Sequence, residues 1–102
     1  MKRRAVEYAL QADEDFGWLY DVIAEASSAM RALAYVERLR AFCDRLDYAS
    51  ERGTRRDDIR PGLRIIGFER RVTVAFTVEA ERVVVLRLFY GGANWERLHL
   101  DH

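Results

Sequence analysis

Between residues 52 and 71 the chain carries seven arginines, at positions 52, 55, 56, 60, 64, 70 and 71, against Asp57, Asp58 and Glu69, a local excess of four positive charges. The rest of the chain runs the other way. Residues 1–51 hold seven basic and ten acidic side chains, and residues 72–102 hold three basic and four acidic, so the formal net charge of zero is a cancellation between regions. Every basic residue except Lys2 is an arginine. The guanidinium is a planar fork that grips a carboxylate or phosphate with two parallel hydrogen bonds, where lysine offers a point charge. An arginine-only cluster therefore suits either a defined acidic partner or nucleic acid. The same pattern also fits a solvated loop tied by local pairs such as Arg55 or Arg56 with Asp58.

Other chemistry finds less support. His99 and His102 are the two histidines and lie in the last four positions, with no serine or cysteine near them in a nucleophilic arrangement. His99 with Asp101 and His102 lacks the thiolates or second ligand pair that a metal site needs, so neither a metal nor another cofactor is expected. Cys43, the one cysteine, has no partner for an internal disulfide and reads as a buried structural thiol. Gly91-Gly92 has neither a P-loop lysine nor a G-x-G-x-x-G pattern after it and reads as the end of a strand. Trp18 falls near the apolar stripe of a helix, which predicts packing. Trp95 either packs back over a sheet or stands out as a contact residue.

These residues must be held by elements that the periodicity outlines. At 102 residues, with 50% hydrophobic and 12% aromatic content, the chain fits a single domain over 1–102 with its own core, and excludes a disordered tail. No apolar run approaches the roughly 20 residues that span a bilayer, and the N-terminus leads into a charged segment, so the expectation is a cytoplasmic protein with no membrane role. Residues 4–10 read as a strand. Asp13 is expected to cap a helix over about 13–26, with Phe16, Leu19, Ile23 and Ala26 on one face. Ser27 and Ser28 break it and start a second helix over about 28–47, with Met30, Leu33, Val36 or Leu39, Cys43 and Leu46 as its apolar stripe. Residues 48–62 lose all periodicity and end in Pro61-Gly62, a turn signal. Strands follow over 63–68, 72–78 and 82–89, with turns at Glu69-Arg70 and 79–81; the last strand is apolar enough to be covered on both faces. The order is β-αα-βββ: an α+β domain whose N-terminal strand and helical hairpin pack on a small antiparallel sheet.

The segment Gly53-Thr-Arg-Arg-Asp-Asp-Ile-Arg-Pro-Gly-Leu-Arg64 resembles the G-x-x-R-x-D-I-x-P-G-L-R stretch of ParE toxins, in the RelE/ParE superfamily of type II toxin–antitoxin systems. The likeness continues through Arg70-Arg71-Val72, Phe76, Arg87 to Gly92, and Asn94-Trp95-Glu96. It implies a toxin neutralised by a ParD-like antitoxin, with DNA gyrase or a related topoisomerase as target and no direct sequence-specific nucleic-acid binding. Arg52, Arg55, Arg56, Arg60, Arg64, Arg71 and Trp95 are the residues expected to meet antitoxin or target. The RelE branch, which cleaves messenger RNA on the ribosome, is the alternative, and Arg64 and Arg71 occupy strands where its members place basic groups. Those enzymes also use basic, Tyr or His groups after the last strand, where this chain reads Gly91-Gly92-Ala93-Asn94-Trp95. Two arginines cannot supply general acid and base at neutral pH, so the expectation is a binding protein with no catalytic residues. A non-toxic relic that serves as antitoxin partner alone fits the same absence.

Overall fold

A computed structural model describes residues 2–91. The element order is β1 (Ala5–Tyr8), α1 (Leu10–Ala26), α2 (Ala29–Asp44), a 3-10 turn (Arg45–Asp47), β2 (Thr54–Arg55), β3 (Leu63–Phe68), β4 (Val72–Val78) and β5 (Arg82–Tyr90). The α+β architecture and the strand-then-hairpin order match the sequence reading. The sheet is mixed, in the order β1-β5-β4-β3-β2. β3, β4 and β5 form the expected antiparallel meander, whereas β1 runs parallel to β5 in the register Ala5↔Arg82 to Tyr8↔Val85. The helical hairpin between β1 and the meander is the crossover that a parallel pair requires.

α1 differs from expectation at its start, and α2 in the face it buries. Ala9 donates its N–H to Val85 O, extending the β1–β5 ladder, and its carbonyl accepts the first helical bonds from Ala12 and Asp13. The strand thus passes directly into α1, and Asp13 lies in the first turn instead of capping it. Ser28 does cap α2, accepting from the Arg31 N–H. Along α2 the buried face is Ala32, Tyr35, Leu39 and Cys43, while Met30 and Leu33 are 82% and 52% exposed. Ala26 is exposed as well. Met30 and Leu33 sit on the turns opposite the 32-35-39-43 stripe, so a helix that buries the second must turn the first to solvent.

One core lies between the hairpin and the sheet, where Phe16, Leu19, Leu39 and Cys43 meet Val74, Phe76, Val83 and Val85. Edge-on ring contacts of Tyr35 with Phe68 and Tyr8 with Phe16 fix α2 and α1 over opposite halves of the sheet. The other face of the sheet buries Leu63, Ala75, Val84, Leu86 and Phe89, with Ile59 packed against them. β5 is therefore covered on both faces, as its composition predicts.

β5 is nine residues long and β1 four, so β5 runs past its neighbour. Its register on β4 steps from Phe76↔Val85 to Ala75↔Arg87, leaving Leu86 as an extra residue. Such a bulge re-aims the side chain beside it. Arg87 here meets Asp15 of α1 at 2.8 and 3.2 Å, and the same carboxylate accepts the Leu88 N–H at 2.9 Å. Asp15 thereby takes the place of the missing strand at that edge, and locks α1 to the sheet.

Candidate interaction surface

The arginine-rich connection between α2 and β3 is ordered by its own hydrogen bonds. Arg52 closes the end of the helical segment, its guanidinium donating to the carbonyls of Arg45, Tyr48 and Ala49 at 3.0 to 3.2 Å. Carbonyls at a helix C-terminus lack partners, and a cation there satisfies them and the macrodipole together. Arg52 is thus engaged inward, holding the loop. Gly53 has φ +73°, and a Cβ on it would lie 2.1 Å from Ile65 O, so glycine alone lets the chain approach β3 closely enough to form β2. Sequence reading missed this two-residue strand because both of its side chains are exposed and no burial pattern marks it.

Beyond β2 the loop turns on Asp57 and Asp58. Arg56 forms a bidentate pair with Asp58 at 3.0 and 2.9 Å, and this pair holds the Asp58 carboxyl below its ordinary range. Asp57 pairs with Arg55 at 2.8 Å and accepts the Gly62 N–H at 2.8 Å. Leu63 N–H returns to Arg60 O across Pro61 and Gly62, the latter at φ +80°. Pro at the second and a positive-φ Gly at the third position define a type II turn. The local-pair reading of the cluster thus holds for Arg55, which is exposed, and for Arg56, which is part-buried.

The remaining arginines divide between the two ends of the β3–β4 hairpin. Glu69 and Arg70 make the turn at φ +49° and +60°, and Glu69 binds Arg38 of α2 at 3.0 and 3.1 Å. That pairing keeps the Glu69 carboxyl below its usual value. Arg71 is exposed beside this pair and acts electrostatically on Tyr35. The Tyr35 hydroxyl is buried with no hydrogen-bond partner among the described residues, and burial raises its pKa. Arg64 lies opposite Phe76, and Phe76 is five positions along β4 from Arg71, roughly 17 Å in extended backbone. Arg64 donates to Arg52 O at 3.2 Å and lines a hollow of ≈ 330 Å³ with Arg4 and Arg55. Arg64 and Arg71 do not form one phosphate clamp at a common point. Arg4 went unnoticed in the sequence because its neighbours along the chain say nothing of the loop that folds against it.

Exposed apolar groups mark the helical side. Besides Met30 and Leu33 they are Leu10, Tyr48 and Trp18, which is 55% exposed and meets Tyr90 edge-on, ring centroids 6.4 Å apart. Trp18 packs as expected, yet leaves half its surface to solvent. Cys43 is fully buried, as its composition suggested, and burial pushes its thiol up to about 12. Trp95, His99 and His102, with the rest of the segment after Gly91, lie outside the described residues. Among the described residues no cluster of three or more His, Cys, Asp or Glu could hold a metal, and no helix is long and apolar enough to cross a membrane.

A family model described as the ParE toxin of the type II toxin–antitoxin system parDE matches residues 6–95. Among solved structures, a chain from "Chromosomal ParDE TA system from P. aeruginosa" superposes with a TM-score of 0.77 at 21% identity, covering 87% of this chain and 97% of that one. At that identity the likeness is one of fold. A comparison with curated proteins returns no match.

Proposed function

Because the chain belongs to the ParE toxin family of type II toxin–antitoxin systems, we propose that it arrests growth by binding DNA gyrase or a related type II topoisomerase in the cytoplasm, and that a ParD-like antitoxin neutralises it. The family match over residues 6–95 carries this reading. The surface supports a binding role: the described residues offer exposed apolar groups on both helices and a belt of arginines on the loop and hairpin, with no nucleophile–base pair among them. An amphipathic antitoxin helix could supply an apolar face for Met30, Leu33 and Trp18 and carboxylates for the arginines of the loop and hairpin, Arg64 and Arg71 among them.

Induction of the chain alone, and together with the small reading frame beside its gene, tests the reading. Expected are growth arrest with a DNA-damage response, intact messages by primer extension, and recovery when the neighbour is co-expressed. Cleavage of messages at ribosomal A sites contradicts gyrase targeting, and normal growth at high expression contradicts the toxin assignment itself.

A further inference from the structure

We propose that the hollow between Arg4, Arg55 and Arg64 reads a single carboxylate presented by a partner polypeptide, the antitoxin if the reading above holds. The ≈ 330 Å³ hollow is bounded by β2, β3, the β4–β5 turn and the residue preceding β1. Arg4 and Arg64 are both part-buried, and among the described residues each guanidinium reaches only a carbonyl: Arg4 that of Glu79 at 2.8 Å, Arg64 that of Arg52 at 3.2 Å. A guanidinium has five N–H donors, so both retain capacity, and neither lies in an ion pair among the described residues. Arg64 is thus a part-buried cation without a direct counter-ion, which a bound anion would supply, while Arg4 acts at longer range on the Glu81 carboxylate.

The backbone adds to this. Arg55 and Arg64 are direct cross-strand partners on β2 and β3, and like charges in that position repel. The Arg55–Asp57 pair relieves this in part. An anion seated between the two forks would relieve it fully, on a site held by ladder hydrogen bonds and by the close approach of Gly53 to β3. Such a site is preorganised.

Charge selects the kind of anion. The lining holds Arg4, Arg55 and Arg64 against Glu51 and Glu79, a surplus of one positive charge; outside it Asp57 pairs with Arg55, and Arg82 is shared between Glu79 and Glu7. One carboxylate completes that balance and fits the planar forks. A run of phosphates along a nucleic-acid backbone would bring further negative charge against Glu51 and Glu79 at the rim.

Titration of the cell-free-synthesised, 15N-arginine-labelled chain tests this directly. N-acetylglutamate is expected to shift the Nε–Hε resonances of Arg4 and Arg64 saturably, while N-acetylglutamine at the same concentration does not. Arg64→Gln and Arg4→Gln should each weaken the response at least tenfold; Arg55→Gln, which alters an exposed side chain, should weaken it severalfold with an unchanged amide spectrum. Absence of saturation, or tighter saturation by inorganic phosphate at matched ionic strength, overturns the proposal, the latter in favour of a nucleic-acid site. In the toxin–antitoxin complex the Arg4→Gln/Arg64→Gln double variant should raise Kd at least tenfold; an unchanged Kd sinks the pocket and leaves the family reading standing.

Discussion

At the residue scale, the site depends on side chains whose roles are fixed by what the backbone does nearby. Gly53 is the clearest. Any Cβ there collides with a backbone oxygen that cannot swing aside, and φ +73° is costly for an L residue besides. Gly53→Ala should therefore cost about 2 kcal/mol or more in urea unfolding and detach β2, with it disturbing the Arg55–Arg64 pairing. Cys43 gives a test that depends on pH. Its thiol is neutral and buried, with a pKa moved from 9.0 to about 12 by desolvation first and by Asp44 second. The folded form holds its proton more tightly than the unfolded chain does, so the stabilisation is complete below pH 9 and is lost as pH rises toward 12. Tyr8, raised by burial and by its bond to Asp44, works in the same direction. Unfolding curves at pH 8 and pH 10.5 should show a fall in stability that is smaller in Cys43→Ala than in the parent chain.

At the element scale, the α2 helix shows how much the sequence discloses and where it stops. Its cap at Ser28 follows from local chemistry, while the expected end at about 47 takes in the 3-10 turn that follows α2 at Asp44. Of the strands after Gly62, β4 follows from alternation and β5 from its continuous apolar run. Face assignment on α2 does not, because apolar residues fall on two sides of it, and only the packing of Tyr35 on Phe68 decides which side is inward. Parallel pairing of β1 with β5 is equally hidden: alternation says which face a side chain takes, never which strand lies alongside. The arginine cluster was legible as a feature, while its division into inward anchors such as Arg52 and outward groups such as Arg71 depends on carbonyls and carboxylates brought together by the fold. The two-sided nature of α2 separates stability from binding. Met30→Gln and Leu33→Gln should each change stability by no more than about 0.5 kcal/mol, as exposed substitutions do, yet weaken antitoxin capture severalfold. Equal losses in thermal denaturation and in pull-down yield would show instead that this face supports the fold.

At the scale of the whole molecule, the charge that sums to zero is divided along the chain, with an excess of acid over residues 1–51 and of arginine over residues 52–71. A charge distribution of that kind steers a partner that is itself mixed in charge, and gives binding that weakens with salt. The fold ties both regions to one sheet: β5 holds β1 and β4, and through Arg87 and Asp15 it also holds α1, so the helical and arginine-rich surfaces are fixed relative to each other. Rigid presentation of a charged and apolar surface is what a stoichiometric inhibitor needs. The most direct test of that account is the supercoiling activity of purified gyrase with increasing amounts of the purified chain. The expected result is loss of supercoiling with accumulation of cleaved DNA, reversed by added antitoxin. Undiminished supercoiling at saturating toxin, in a preparation that still arrests growth, would contradict it.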